Sequence, residues 1–345
     1  MSLRDYWYIA CESRELSIKP ILRILFEKHL VFYRGDNGAP VALLDRCAHR
    51  NMALSLGAVV DGCIECPYHG WRYDADGNCR VVPSLGPEGS IPSSIQIPSF
   101  PCVELDGYVW VYCGEGDGEP ASAPFSFPYL NDPDWTTFRM KTRFTSSVES
   151  CLENFLDCPH TVFVHKGWFR NPDARSLTAL VRRLSDSVEV EFRNEPTSDS
   201  VIARLLYPKN HKLKHTDRFI MPNLSRVDYE FGPKHHFIIT SQCTPISDFQ
   251  TEVYTVITYR YGALGRLIRL FFEPMSRHII KQDVDILAAQ TKQLIQFNGT
   301  KFSHVETDLL GLHIQSMRRQ ADQPESEDGV ASTAGLSERE ITIRF

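Results

Sequence analysis

The sequence predicts an α+β protein with an all-β N-terminal domain and a C-terminal domain in which helices pack on an antiparallel sheet, in a helix-grip-like arrangement. Residues 1–113 consist of short β-branched and aromatic runs that are separated by turn sequences. Residues 177–261 alternate polar and apolar side chains, which is typical of strands with one buried face, and a helical pattern follows. A length of 345 residues also suggests about two domains.

Strand and turn signals alternate through the N-terminal domain. The predicted strands, rich in β-branched and aromatic residues, are 30–33, 41–44 and 108–112. The predicted turns, in which Gly stands beside Asp, are 35–38, 61–62, 76–78 and 106–107. A polar, Gly-rich segment at 114–120 predicts a linker. We therefore assign residues 1–118 to the first domain, 119–320 to the second and 321–345 to a polar tail.

The C-terminal domain combines strands with helices. A strand is predicted at 138–148. Alternating runs between 177 and 261, which include 187–192, 237–240 and 253–259, predict one large antiparallel sheet. A short helix at 151–156 is predicted to end before Pro159, because a residue before proline avoids the helical region. Helices are predicted again from about Gly265, and the strongest helical run is 276–297, where apolar residues recur at helical spacing.

The composition argues against several classes of protein. Hydrophobic residues make up 42% of the chain and charged residues 23%, as in an ordinary globular protein. The net charge of −6 argues against nucleic-acid binding as the main task. The first residues lack the apolar core of a secretory signal, and no run of 18 apolar residues predicts a membrane span. With ten Cys in no disulfide pattern, a soluble cytoplasmic protein is expected.

Two short motifs predict a metal cluster. They are Cys47-Ala48-His49 and Cys66-Pro67-Tyr68-His69, and sixteen residues separate His49 from Cys66. Two thiolates and two imidazoles in paired loops suit a Rieske [2Fe–2S] cluster, in which one iron has sulfur ligands and the other has nitrogen ligands. The alternative is a Cys2His2 zinc site, but such sites usually pair Cys with Cys and His with His. One Cys and one His in each loop favour the Rieske cluster.

A second set of ligands follows in Asp157-Cys158-Pro159-His160 and His165. Two His can contribute to a 2-His-1-carboxylate triad, which leaves positions open on a non-haem Fe(II). His160 and His165 are separated by about 140° on an ideal helix, so both face one metal only if the helix breaks near or after Pro159. The alternative is that both are ordinary polar side chains.

The carboxylate of such a triad must come from far along the chain, and the helix at 276–297 offers two. Asp283 shares a face with mostly apolar residues, namely Ile279, Ile280, Leu287, Gln290 and Leu294. A carboxylate on an apolar face is costly to bury without a partner, and a metal would be that partner. Asp285 lies about 200° around the helix beside Lys281 and Lys292, as expected of a surface charge. We therefore predict Asp283 as the ligand.

The loop residues in the stretch 45–72 resemble a known family. Cys47-Ala48-His49-Arg50 and Cys66-Pro67-Tyr68-His69-Gly70-Trp71 resemble the cluster loops of ring-hydroxylating Rieske non-haem iron oxygenases. The extra Cys of respiratory Rieske proteins is missing, since Met52 and Tyr68 stand at the corresponding places. One departure is Asn51, where the family usually has Gly for a positive φ angle. The order of loops, His pair and Asp helix is similar to the family's from Trp7 to about Arg319.

The resemblance implies a role for each candidate residue. Cys47 and Cys66 would bind one iron of the cluster, His49 and His69 the other, and His160, His165 and Asp283 a mononuclear Fe(II). Asp157 matches the family's bridging carboxylate, which joins a cluster His of one protomer to an iron-ligand His of the next. This bridge implies a head-to-tail homotrimer. Cys63, Cys79 and Cys158 receive no role.

The resemblance further implies the terminal oxygenase component of an electron-transfer system. An NAD(P)H-dependent reductase, often with a ferredoxin, would reduce the cluster, and O2 would be the co-substrate. The length is similar to that of monooxygenases and demethylases, so hydroxylation or oxidative demethylation of a small aromatic or polycyclic substrate is expected. The expected pocket residues are Phe155, Leu156 and the strands near 219–240. A cis-dihydroxylating dioxygenase, an electron-transfer protein without oxygenase activity and a zinc-binding module stay open as alternatives.

Overall fold

The chain divides into two compact units, Arg4–Ser126 and Phe127–Phe345, the second of which includes Met1–Leu3. The computed structural model describes residues 2–114, 120, 122–166, 168, 176–193, 213–232, 234–299, 302–322 and 337–344. The division falls after residue 126 rather than after the predicted 118, and Nε1 of Trp7 donates to the carbonyl of Ser122 over 2.6 Å. This hydrogen bond attaches the chain beyond the Gly-rich segment to the first unit. Residues 115–119 of that segment lie outside the described part.

Strands form three antiparallel sheets in the described part of the first unit. They are β1 (Trp7–Glu12), β2 (Ile21–Leu25), β3 (Lys28–Arg34), β4 (Pro40–Leu44), β5 (Ala58–Val60), β6 (Cys63–Glu65), β7 (Arg72–Tyr73), β8 (Cys79–Val81), β9 (Ser99–Phe100), β10 (Cys102–Leu105) and β11 (Tyr108–Tyr112). The sheet orders are β1-β11-β10, β2-β3-β4-β9 and β5-β6-β7-β8. The strands predicted at 30–33, 41–44 and 108–112 lie within β3, β4 and β11 and are confirmed.

Strand β3 separates two apolar cores, because alternate side chains of a strand point to opposite faces. Leu30 and Phe32 belong to a core with Tyr8 and Val109, whereas Val31 and Tyr33 belong to a second core. That second core also contains both motif Cys, together with Ile64, Leu54 and Tyr73. Each motif loop is therefore anchored in the core at its first residue.

The sequence predicts one large antiparallel sheet in the second unit, and the described residues form such a sheet with eight strands. The strands are β12 (Thr136–Phe144), β13 (Ser176–Arg183), β14 (Ser187–Arg193), β15 (Lys214–Ile220), β16 (Leu224–Glu230), β17 (His236–Ser247), β18 (Gln250–Arg260) and β19 (Ser337–Arg344). Their order is β12-β18-β17-β16-β15-β14-β13-β19. The α+β fold class is confirmed.

Helices α1 (Val148–Leu156), α2 (His160–Phe163), α3 (Gly265–Gln296) and α4 (Gly311–Asp322) complete the described part of this unit. Side chains of α1, α3 and α4 pack with the sheet in one core that includes Leu152, Leu287, Ile314, Val190 and Phe219. The helical region predicted from about Gly265, with its strongest run at 276–297, forms one helix, since α3 continues through Pro274. Proline removes one N–H from a helix without forbidding its continuation. No helix among the described residues is long and apolar enough to cross a bilayer.

The predicted polar tail over 321–345 is wrong at both of its ends. Residues 321–322 belong to α4, and Ser337–Arg344 form β19, which pairs antiparallel with β13. Ile341 and Ile343 are buried, so one face of β19 packs on the core. By pairing with β13, β19 covers what would otherwise be an open edge of the sheet. Residues 323–336 lie outside the described part of the chain.

Candidate metal centres

The two motif loops of the first unit share one backbone arrangement. The first loop joins β4 to β5 and the second joins β6 to β7. In each, the Cys N–H donates to the carbonyl five residues later, Cys47 to Met52 over 2.9 Å and Cys66 to Trp71 over 2.8 Å. The N–H four residues after each Cys donates back to the Cys carbonyl over 3.0 Å. Both Cys-His pairs are thus held by the same pattern of hydrogen bonds.

Asn51 takes the conformation that Gly70 takes in the other loop. Each residue is the fourth after its Cys, and the φ angles are 58° for Asn51 and 69° for Gly70. Asn tolerates the left-handed region better than most side chains. Nε of Arg46 also donates to Oδ1 of Asn51 over 2.8 Å. The departure from the family's usual Gly therefore leaves the loop conformation intact.

Sulfur and nitrogen donors lie on different sides of this site. The Cys47 and Cys66 side chains are buried in the core, whereas His69 is exposed and His49 half-buried. The two imidazole rings have centroids 4.5 Å apart, and Trp71 stacks on His49 with an interplanar angle of 3°. Burial and the neighbouring His69 lower the pKa of His49, which favours the neutral ring that metal ligation requires.

Tyr73 is a neighbour of the site that the sequence analysis missed. Its hydroxyl lies 3.2 Å from Sγ of Cys47 and 3.1 Å from the N–H of Ala48, which donates to it. Burial and the contact with Cys47 raise the pKa of Tyr73, so the phenol stays protonated and can donate to the sulfur. Tyr73 lies four residues after His69, and this spacing alone does not indicate a contact with Cys47.

The donor set fits a two-iron cluster better than a single zinc ion. A tetrahedral zinc requires ligand atoms within about 4 Å of one another. Within the described residues, no three of these four side chains have ligand atoms within 4.8 Å of one another. Nδ1 of His49 is buried and has no hydrogen-bond partner among described atoms, so it is available to a metal. A thiol pair in the core and an imidazole pair near the surface suit the two irons of a Rieske cluster.

The second candidate centre is built around a break between two helices. Helix α1 ends at Leu156, and the four-residue helix α2 carries His160 and ends at Phe163, before His165. This early end brings both His together, with ring centroids 5.2 Å apart. Among the described residues, His160, His165 and Asp283 are the group whose ligand atoms lie within 4.8 Å of one another.

Neighbouring groups determine which nitrogen of each His faces Asp283. Nδ1 of His165 lies 2.8 Å from Oε1 of Gln282, and Nδ1 of His160 contacts the carbonyl of Asp157. The Nε2 atoms then lie 3.1 Å (His165) and 3.7 Å (His160) from Oδ1 of Asp283. A hydrogen bond to the other ring nitrogen is the usual way in which proteins fix a ligand His. Gln282 was not assigned this position by the sequence analysis.

Asp283 is a buried carboxylate on α3 with an unsatisfied oxygen. Its Oδ1 has no hydrogen bond from a described atom, although His165 lies close enough for electrostatic attraction. Burial lowers the pKa of His165, but the contact with Asp283 outweighs it and raises that pKa overall. Such a buried carboxylate needs a cation, so the three side chains fit a divalent iron. Asp285 is exposed and pairs with Lys281 over 2.8 Å, as predicted.

Asp157 connects α1 to this centre through its backbone and its side chain. It caps the C-terminus of α1, and its Oδ2 accepts from the N–H of His160 over 3.2 Å. The side chain keeps 35% exposure. Asp157 therefore holds the backbone of His160 in place, while part of its carboxylate stays accessible to solvent.

Of the predicted pocket residues, Leu156 lines a cavity at the end of α1, whereas Phe155 and the strands near 219–240 do not line it. A cavity of about 290 Å³ is lined by Leu156 and Asp157, with Glu153, Gln290 and His304 among the other lining residues. Phe155 packs against the core of the sheet with Tyr229 and Ile239. Residues 194–212, between β14 and β15, lie outside the described part.

Comparison with known families matches both units. Residues 6–101 match the Rieske [2Fe-2S] domain, and residues 144–322 match the vanillate O-demethylase oxygenase C-terminal domain. The resemblance carried by the two loops is thus confirmed, and the second match covers about half of the chain.

Curated relatives include demethylases and a dioxygenase. The oxygenase component of dicamba O-demethylase from Stenotrophomonas maltophilia is 34% identical over 165 residues, 48% of each protein. Methylxanthine N1-demethylase NdmA from Pseudomonas putida is 34% identical over 179 residues, 50% of each. The 3-chlorobenzoate-3,4-dioxygenase oxygenase subunit from Comamonas testosteroni is 32% identical over 169 residues, 48% of this chain and 38% of the relative. The chain spans about half the length, or less, of these relatives.

A solved structure shows the same fold. Dicamba monooxygenase bound to dicamba superimposes with a TM-score of 0.80 over 93% of this chain and 97% of the other, at 23% identity.

Proposed function

Because the chain belongs to the Rieske oxygenase family, we propose that it hydroxylates or oxidatively demethylates a small aromatic or polycyclic substrate as a terminal oxygenase component. Membership makes the protein an oxidoreductase with a Rieske [2Fe–2S] domain and an oxygenase domain. The observation that carries the proposal is the group of His160, His165 and Asp283, because an electron carrier has no need of a second three-ligand centre.

Demethylation or monooxygenation is the preferred reaction. The C-terminal unit matches the domain named for vanillate O-demethylase, and two relatives are named as demethylases. The dioxygenase relative supports ring cis-dihydroxylation as the second candidate. The two reactions differ in product, since a dihydroxylation adds both oxygen atoms of O2 to the ring, whereas a demethylation releases the methyl carbon as formaldehyde.

We propose that Cys47, His49, Cys66 and His69 hold the cluster and that His160, His165 and Asp283 hold the mononuclear Fe(II). When bound, the cluster supplies single electrons and the ferrous ion supplies open positions for O2 activation. Gln282 and the carbonyl of Asp157 orient the two imidazoles, with Nε2 of each toward Asp283. Burial of His165 and Asp283 keeps competing water from these donor atoms.

The electron source and the assembly belong to the same proposal. We infer an NAD(P)H-dependent reductase, with or without a ferredoxin, as the donor. We also infer a head-to-tail homotrimer in which Asp157 joins the iron centre of one protomer to a cluster His of the next. The partial exposure of Asp157 supports this role, since a bridging carboxylate must be reachable from outside its own unit.

Iron analysis and EPR of the anaerobically reduced protein test the two metal centres. We expect about three irons per chain, two in the cluster and one mononuclear, and the rhombic EPR signal of a reduced Rieske cluster. Asp283→Asn should lose the mononuclear iron and keep the EPR signal, whereas the matched variant Asp285→Asn should retain all iron. Two irons per chain in the wild type would indicate an electron carrier, and a colourless zinc protein would indicate a zinc-binding module.

Turnover tests the reaction. The reduced protein is supplied with O2 and a panel of methoxy-aromatics, N-methyl compounds and polycyclic hydrocarbons, and products and formaldehyde are measured. Formaldehyde released in equal amount with demethylated product supports the proposal. A cis-diol product would instead support ring cis-dihydroxylation, the second candidate reaction.

A further inference from the structure

The first half of helix α3 presents an apolar face to solvent. Leu264, at its N-cap, and Leu267, Leu270 and Phe271 are each between 57% and 68% exposed. At 100° per residue, Leu267, Leu270, Phe271 and Pro274 lie within about 100° of the helix circumference. Large apolar side chains concentrated on one exposed face usually mark an interaction site. We call this set, Leu264 with the four helical residues, the apolar face.

The opposite side of the same helix segment explains why these residues are not part of the core. Phe272 and Ile279 pack with Phe138, Phe237 and Tyr259 of the sheet. The apolar face points away from that core, and no described residue covers it. The helix therefore packs on the sheet through one side only, and the exposed leucines do not contribute to this core.

A basic cleft lies beside the apolar face. Its volume is about 1100 Å³, and its lining includes Lys234, Arg260, Arg266 and Arg269, with Asp134 as the acidic residue. Lys234 and Arg266 are exposed and have no carboxylate within ion-pair distance among described residues. The cleft lining thus has four cationic side chains and one carboxylate, in a chain whose net charge is −6.

Two arginines on this side, Arg269 and Arg277, share one carboxylate. Glu273 accepts from Arg277 over 2.8 Å and from Arg269 over 3.1 Å, and these contacts lower its pKa and keep it ionised. One carboxylate thus serves two guanidinium groups. The helix segment combines an apolar face with an excess of positive charge along its border.

We propose that the apolar face and the basic cleft dock this protein on an anionic phospholipid bilayer. Leu267, Leu270 and Phe271 enter the boundary between headgroups and acyl chains, and the cations of the cleft contact lipid phosphates. An exposed helix with Leu and Phe on one face and Arg beside it has the composition of an interfacial helix. Attraction to anionic headgroups follows from the local charge.

Charge makes a bilayer a better partner than the same face of a second copy of this chain. A symmetric contact between two such faces would bring the same cations together, which is unfavourable at close range. An acidic protein is compatible with the charge of the cleft, so the experiment includes it as an outcome. The inference does not depend on the substrate or reaction proposed above.

Flotation of the metal-loaded protein with lipid vesicles tests the proposal. We expect binding to vesicles of equal parts phosphatidylglycerol and phosphatidylcholine, with much weaker binding to pure phosphatidylcholine and release at high salt. The double variant Leu267→Gln, Phe271→Gln should weaken binding at least about tenfold, since two apolar side chains lose their burial. Lys234→Gln with Arg266→Gln should weaken it about fivefold per charge on the anionic vesicles.

A matched control comes from the other end of α3. Ile295 and Phe297 are equally exposed there, so Ile295→Gln with Phe297→Gln should leave vesicle binding unchanged. Failure of the wild type to float, or equal loss in this control, overturns the proposal. A lower oligomeric mass for the Leu267, Phe271 variant would assign the face to a subunit contact instead. Loss of donor-dependent turnover without any vesicle binding would assign it to an acidic electron donor.

Discussion

Histidines 160 and 165 each have one ring nitrogen near Asp283 and the other against a neighbouring group. That neighbour is Gln282 for His165 and the Asp157 carbonyl for His160. These contacts decide which nitrogen is available to a metal. The sequence predicts the three proposed ligands, but Gln282 is recognised only when α3 and the chain after α2 are seen together.

At the residue scale, Asp157→Asn should preserve both metal centres and still abolish efficient turnover. The Asn carbonyl can accept from the His160 N–H as Asp157 does, so local structure should persist. A neutral amide cannot replace a charged bridge between two His, so turnover should fall by about 10- to 100-fold. Steady-state rates and iron content would be compared with those of Asp285→Asn. Wild-type turnover in Asp157→Asn would refute the bridging role.

Tyr73→Phe should make the cluster harder to reduce. Loss of one hydrogen bond to a ligand sulfur, about 0.5–1.5 kcal/mol, corresponds to a decrease of about 20–60 mV in reduction potential. The potential is measured by redox titration of the visible spectrum. Tyr108→Phe, which removes a buried hydroxyl from a strand away from the loops, is the control. An unchanged potential in Tyr73→Phe would mean that the hydroxyl does not donate to Cys47 in the loaded protein.

At the scale of elements, boundaries were harder to predict than element types. Helix α1 starts at Val148, where Oγ of Ser147 accepts from the N–H of Ser150. The strand predicted at 138–148 therefore extends too far, and β12 ends at Phe144. Helix α3 extends through Pro274, where the Ser276 hydroxyl donates to the Phe272 carbonyl over 2.9 Å. Sequence periodicity reports the buried face of a helix, so the helical pattern is weaker before Ser276, where several apolar residues of α3 are exposed.

Asp228 on strand β16 makes the free energy of unfolding depend on pH. Burial raises the pKa of Asp228, but hydrogen bonds from His236 and Arg226 outweigh it and lower the pKa overall. Because the folded pKa is the lower one, this stabilisation is present above the ordinary Asp pKa and is lost as pH falls through the folded value.

Asp228→Asn should therefore lower the free energy of unfolding by about 2 kcal/mol at neutral pH. The difference from wild type should begin to shrink below about pH 4, where Asp228 of the unfolded chain becomes protonated, and should disappear as pH falls through the lower pKa of the folded protein. Denaturant unfolding at the two pH values measures it, with the exposed Asp248→Asn as control. A difference that is constant with pH would exclude the ionic explanation.

At the scale of the whole molecule, the proposed homotrimer implies that electrons pass between chains. Cys66→Ser should remove the cluster and His165→Ala the mononuclear iron, and each homotrimer should be inactive. Co-expression of the two variants should restore part of the activity, because some mixed trimers place an intact cluster beside an intact iron centre in the next chain. Absence of restored activity in isolated mixed trimers would indicate transfer within one chain.

The sequence by itself determined the fold class, the family resemblance and the proposed ligands. Cys-His spacing and apolar periodicity are local properties, so they can be read from the sequence. The chemistry of iron also restricts which residue types can be its ligands. The tertiary structure decided what depends on contacts between distant segments: the Gln282 contact of His165, the Tyr73 contact of Cys47, and β19 at the sheet edge. It also decided which apolar face of α3 stays outside, because burial is a property of the packed chain and not of the helix alone.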